Sequence, residues 1–205
     1  MDNDKEIISI INFLREARKL QSTFRFTPKQ DGNFENDAEH SWAVALTCSL
    51  LLNRLEKEFG RKLDGLMILK MALIHDMGEI SAGDTKTWDQ KSRIGKEEKE
   101  REGINNLVGN LPDDIATEIA GLWEECEAME SLEAKIVRSI DRLDPVIHRT
   151  LTGVGWKNLK DEGEHSTLEA LDDRQLPRHH FSKTITRLYK KLRSIAIEGK
   201  MFPIN

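Results

Sequence analysis

Apolar residues return along this chain every three or four positions, the period of a helix, and strand-like alternation is nearly absent. Ile7, Ile11, Leu14 and Arg18 mark a first helix over residues 4–21, with Ile8, Ile10 and Leu20 widening its apolar stripe. The next stretch, residues 23–34, carries Pro28, Gly32 and Asn33 and reads as an extended, turning segment. A second helix is expected over residues 38–59, capped by Asn36 or Asp37 and ended by Gly60. Its inner face runs through Trp42, Ala45, Leu46, Leu50 and Leu55. Asp64 can cap a third, strongly apolar helix with Leu66, Leu69, Ala72 and Leu73.

After a polar loop over residues 85–93 comes a charged helix, 94–110, gripped only by Ile104, Leu107 and Val108. The Lys/Glu run 96–101 reads as its solvated face. Leu111-Pro112-Asp113 starts another helix, 113–127, and Ser131 caps a sixth with Ala134, Ile136, Val137 and Ile140 inside. Residues 152–180 look polar and irregular, and a final helix over 181–198 carries Ile185, Leu188, Leu192 and Ile195. The pattern predicts one all-α domain spanning residues 1–205, with its core over about 4–150.

Composition narrows the classes. A chain of 205 residues suffices for one well-buried domain, and 38% hydrophobic with 33% charged residues is a foldable balance. The net charge of −5 argues against nucleic acid held on a basic surface. No apolar run approaches the roughly 18 residues of a membrane span, and the first residues lack the features of a signal peptide. Cys48 and Cys126 sit among apolar neighbours and read as buried free thiols of a reducing compartment. The expected location is the cytoplasm.

The chemistry gathers in the stretch Leu73–Asp84. His75 and Asp76 are adjacent, Glu79 follows His75 by four positions so that a helix would put both on one face, and Gly78 and Gly83 bracket the helix end. Burying such groups unpaired is costly, and a metal ion is a common compensation. Taken alone, a His-Asp pair at a helix end reads more readily as charges emerging into water. His40, at the start of the second helix, and Asp141, after an apolar helical face, are the other candidates. Pro145 cannot donate to the Asp141 carbonyl, so the backbone there is expected to kink or to restart with Asp144 as a cap. Two imidazoles and two carboxylates would suit Mn, Fe, Co, Ni or Zn better than Mg or Ca. His148, His165 and the pair His179-His180 have no partner spacing and read as surface or core histidines.

The order His40 … His75-Asp76 … Asp141, with Glu39-His40-Ser41-Trp42 and with Glu79 and Gly83-Asp84-Thr85 following, resembles the HD superfamily of metal-dependent phosphohydrolases, in particular its 5′-deoxynucleotidase branch. The resemblance runs over residues 12–150 and implies a helical bundle that releases phosphate from nucleoside 5′-monophosphates with one divalent metal ion. It casts His40, His75, Asp76 and Asp141 as metal ligands and Glu79 as the carboxylate that handles a proton. It casts Asp84 as the acceptor of the sugar 3′-hydroxyl and Arg25 as a phosphate clamp. Phe26 stands where the family has a tryptophan and would keep an aromatic plane for sugar or base. Homodimers are implied as well. Two other functions remain open at this level: hydrolysis of another nucleotide phosphoester, a triphosphate or an alarmone, and a non-catalytic nucleotide-binding module.

Overall fold

The computed structural model describes residues 3–83, 95–156 and 167–201. The helix α1 (Asn3–Ala17) passes through a 3-10 turn, Arg18–Ser22, into strands β1 (Phe24–Pro28) and β2 (Phe34–Asn36). Then follow α2 (Asp37–Phe59), α3 (Gly65–Ile74), the short α4 (Glu79–Ala82), α5 (Lys96–Val108), α6 (Asp113–Ala128), α7 (Leu132–Thr152), α8 (Leu168–His179) and α9 (Lys183–Glu198). The expected 85–93 loop lies outside the described residues.

The middle of the core is built by α2, α3 and α7, through Val44, Cys48, Leu55, Met71, Ile136, Val137, Ile140 and Leu143. Against it pack α6 with Cys126, α8 with Leu171, and α9 with Ile185, Tyr189 and Leu192. Cys48 and Cys126 are both buried and free, and burial pushes both thiols up to about 12. No helix among the described residues is long and apolar enough to cross a membrane.

Caps hold the helix starts where the site needs them. The Asn36 side chain accepts from the Glu39 N–H while the Glu39 carboxylate accepts from the Asn36 N–H, a reciprocal pair that typically contributes about 1 kcal/mol. This cap places His40 in the first turn of α2. Asp64 and Ser131 cap α3 and α7 by single bonds, their side chains accepting from the Met67 and Ala134 N–H.

The extended segment forms an antiparallel hairpin with Phe24 opposite Asn36, Pro28 opposite Phe34 and an irregularity between them. Burial alternates along it. Arg25, Thr27 and Glu35 turn inward, and Phe24, Phe26 and Phe34 turn outward and stay exposed.

Five expectations need correction. The inner face of α2 runs through Val44, Ala45, Cys48 and Leu55, while Trp42, Leu46 and Leu50, expected on it, are exposed. Residues 152–180 are not irregular throughout: α8 occupies Leu168–His179, its start capped by Thr167 and its Leu171 in the core. Pro177 suggested a loop there, but it stands inside the last turn of α8. Pro145 does not interrupt or restart α7, which continues to Thr152, and Asp144 is buried within it rather than capping it. The apolar stripe of α1 is largely uncovered, with Ile7, Ile8, Ile11 and Leu14 exposed, because α1 leans mainly on the 3-10 turn and α5. Finally, α3 does not run on through Glu79. The backbone bonds tighten from four residues back (His75 N–H to Met71) to three back (Met77 to Ile74, Glu79 to Asp76), a narrower turn.

Candidate metal centre

The tightened turn 75–78 delivers two neighbouring side chains to one buried cluster, with His40 arriving from the start of α2 and Asp141 from the middle of α7. All four are buried. His40, His75 and Asp141 each offer a ligand atom within 4.8 Å of the others. His40 Nε2 lies 3.1 Å from Asp141 Oδ1 and 3.7 Å from Asp76 Oδ2, while His75 Nε2 lies 3.4 Å from Asp76 Oδ1 and 3.7 Å from Asp141 Oδ1.

The opposite ring nitrogens are committed elsewhere. His75 Nδ1–H donates to the Ala72 carbonyl at 2.9 Å, and His40 Nδ1–H donates to Asp144 Oδ2 at 2.9 Å. Anchoring Nδ1 fixes the ring and turns the Nε2 lone pair inward, which is how protein imidazoles are prepared as metal ligands. His75 Nε2 is buried and has no hydrogen-bond partner among the described residues. The Trp123 indole N–H, 3.2 Å from the His75 carbonyl, pins the backbone beneath it.

Charge at this point is unbalanced toward the negative. Burial opposes a proton on His40, as does Arg25, but Asp141, Asp144 and Asp76 outweigh both and raise its pKa to about 10. Burial alone would push the Asp141 carboxyl up. Arg138 and the two imidazoles outweigh that and hold it well below the usual carboxylate range. Asp76 is likewise kept low against burial by His75, Arg25 and His40. The cluster thus selects positive charge, and a divalent cation competes for the same Nε2 lone pair as the proton. The donor set, the buried unpartnered nitrogen and the charge all fit a divalent metal.

Around this set stand residues that sequence reasoning did not find. Asp144, one helical turn beyond Asp141, orients His40; its spacing of three was the available signal. Arg138 Nη1 holds Asp141 Oδ2 at 3.1 Å and lies 3.4 Å from Glu127, leaving Oδ1 turned to the imidazoles. Asp37 is fully buried, and Asp37, Asp76 and Glu79 each bring a carboxylate oxygen within 4.8 Å of the others.

The expected substrate residues fall differently. Arg25 does reach the site, its Nη1 2.7 Å from Asp76 Oδ2 and 3.5 Å from Asp37 Oδ1. Phe26 follows Arg25 on β1 and is on the strand's outer face, 47% exposed. Asp84 lies outside the described residues. Lys96 is not part of a solvated face: its ammonium is 2.6 Å from Glu79 and 2.9 Å from Glu100. The histidines read as core or surface behave so where described. His179 is buried with Ser139 and Gln175, His180 is exposed, and His148 donates Nε2–H to the Pro28 carbonyl.

Comparison with known proteins agrees with this geometry. The family model described as "HD domain" matches residues 17–175. Among curated proteins, a zebrafish (Danio rerio) protein named 5′-deoxynucleotidase HDDC2 is 38% identical over 147 residues, 72% of this chain and 68% of that one. A Salmonella arizonae protein named 5′-deoxynucleotidase YfbR is 30% identical over 64% of this chain and 68% of its own length. Among solved structures, one described as a predicted metal-dependent phosphohydrolase from Magnetospirillum magnetotacticum is 33% identical. It superposes with a TM-score of 0.80 over 98% of both chains. With the His…His-Asp…Asp series gathered in one buried cluster and a family model spanning most of its length, the chain belongs to the HD-domain family.

Proposed function

We propose that the protein is a divalent-metal phosphohydrolase that releases phosphate from nucleoside 5′-monophosphates, deoxyribonucleotides by preference. The observation that carries this reading is the pair of imidazoles, each anchored through Nδ1 and each directing Nε2 at Asp141 Oδ1, at 3.1 and 3.7 Å. His40, His75, Asp76 and Asp141 are the ligands in this reading, for one ion drawn from Mn, Fe, Co, Ni or Zn. When bound, such an ion supplies an activated water and offsets phosphoryl charge.

The chain's own residues do the rest. Glu79, beside Asp76, takes a proton from the attacking water and returns one to the departing 5′-oxygen as the P–O5′ bond breaks and a new P–O bond forms. Arg25, braced by Asp37 and Asp76, faces the scissile group and adds positive charge where the transferring phosphoryl needs it. Asp84 receives the sugar 3′-hydroxyl, and Phe26 lends an aromatic surface at the rim. The names of the curated relatives support the deoxynucleotide assignment. Assembly as a single-domain cytoplasmic homodimer belongs to the same reading.

The test is phosphate release from metal-stripped protein given Mn, Co, Ni, Mg or Zn. The substrates are paired deoxy- and ribonucleoside monophosphates together with the triphosphates. Turnover of monophosphates with a deoxy preference is expected, and Glu79→Ala should lose most of it, on the order of 100-fold or more. Equal rates on ribonucleotides would remove the sugar preference but keep the chemistry. No release with any substrate, while metal binds, would overturn the enzymatic reading in favour of a binding module.

A further inference from the structure

Glu79 is gripped from outside the metal cluster. Lys96, the first residue of α5, places Nζ 2.6 Å from Glu79 Oε1 and 2.9 Å from Glu100 Oε1, with only 18% of its side chain exposed. A lysine on a charged helix would ordinarily keep its ammonium in water. Burial disfavours the ammonium here, but Glu79 and Glu100 outweigh it and raise its pKa above the ordinary lysine value.

The approach depends on two glycines. A Cβ on Gly78 would fall 2.8 Å from Glu100 Cβ and 3.0 Å from the Glu100 carbonyl oxygen. A Cβ on Gly103 would fall 3.1 Å from both the Gly78 carbonyl oxygen and Ser81 Cβ. The absence of side chains at both positions lets α5 lie directly against the turn that carries Glu79. Neither backbone is in the left-handed region, so glycine is required here for proximity rather than for conformation.

We propose that Lys96 is a positioning residue for the reaction: it holds Glu79 Oε1 and so confines the carboxylate to the orientation in which it exchanges a proton with the reacting oxygens. The proposal rests on the phosphohydrolase reading, in which Glu79 is the catalytic carboxylate. A glutamate that loses an ion-pair partner can shift between rotamers, and misplacement by about 1 Å can cost on the order of 100-fold in rate. Lys96 touches none of the metal ligands, so its removal should spare metal binding.

Lys96→Met in the full-length, metal-loaded protein should lower kcat by about 10- to 100-fold on whichever monophosphate wild type turns over best, with KM changed by less than about threefold. Lys96→Arg, which keeps the charge, should recover part of the rate. Calorimetric titration with Mn should give the same affinity to within about twofold, since the ligand set is untouched. In a Glu79→Gln background, Lys96→Met should add less than about a twofold loss, because a residue acting through Glu79 has nothing further to remove. A raised KM, or an undiminished loss in the Glu79→Gln background, would assign Lys96 to the substrate phosphate and overturn the proposal. Unchanged kcat with active wild type would overturn it alone; an inactive wild type would remove the phosphohydrolase reading and this proposal with it. If Lys96→Met fails to fold, Lys96→Gln carries the same expectations.

Discussion

At the scale of single residues, the site is prepared by groups that never touch its centre. His40 turns Nε2 toward Asp141 because Asp144 takes its Nδ1–H at 2.9 Å, and Asp141 presents one oxygen to the imidazoles because Arg138 holds the other at 3.1 Å. Asp144→Asn leaves the shape nearly intact but lets the amide offer a donor where His40 needs an acceptor, so the ring loses its anchor. Metal affinity measured by calorimetry with Mn or Co should fall by about 10- to 100-fold. An affinity unchanged to within about twofold would show that the ring is held by packing alone. Asp144 was visible in the sequence as an acidic residue one turn after Asp141, yet Pro145 beside it suggested a cap. What decided between the two was the position of α2, which no local pattern encodes.

At the scale of elements, two short devices carry the geometry: the capped start of α2 and the tightened turn between α3 and α4. The first was legible, since Asn36 and Glu39 stand at the spacing of a capping box before an apolar run. The second was not, because a period of 3.6 carries naturally through His75 and Glu79. The glycine in this turn also has a different role from the one its sequence position suggests. Gly78 has helical angles, φ −61 and ψ −27, and serves the contact with α5. Gly78→Ala should therefore force α5 away from Glu79, destabilising the fold by about 1–3 kcal/mol in urea denaturation and lowering turnover. Gly121, inside α6, has open space around its missing Cβ. Gly121→Ala should instead stabilise by about 0.5–1 kcal/mol, since only the flexibility of the unfolded chain is lost. Equal effects at the two sites would refute the close-packing account.

At the scale of the whole molecule, one side of α2 remains unburied. Trp42, Leu46 and Leu50 recur at four-residue intervals and are all exposed, so the helix is apolar on a second face besides the one in the core. Single exposed apolar residues are ordinary, but a stripe of three along one helix is the pattern of an interface. This stripe supports the dimeric part of the proposed reading. Light scattering on the eluting protein should give twice the chain mass, and Leu46→Glu with Leu50→Glu should shift it to the monomer. A wild-type monomer at micromolar concentration would discard the dimer and assign the stripe another role.

The sequence by itself determined the helical class, most helix starts, the buried free thiols and the identity of the candidate ligands, because each of these is set by local period, local capping or residue chemistry. The resemblance ordered His40, His75-Asp76 and Asp141 into one set, which spacing along the chain could not do. Only the tertiary structure decided which nitrogen of each imidazole faces the cluster, that Asp144 and Arg138 brace the candidate ligands His40 and Asp141, and that Lys96 reaches Glu79 from 17 residues away. Those contacts join residues far apart in sequence. Their partners are chosen by how α2, α5 and α7 pack, and packing is a property of the assembled core rather than of any segment of it.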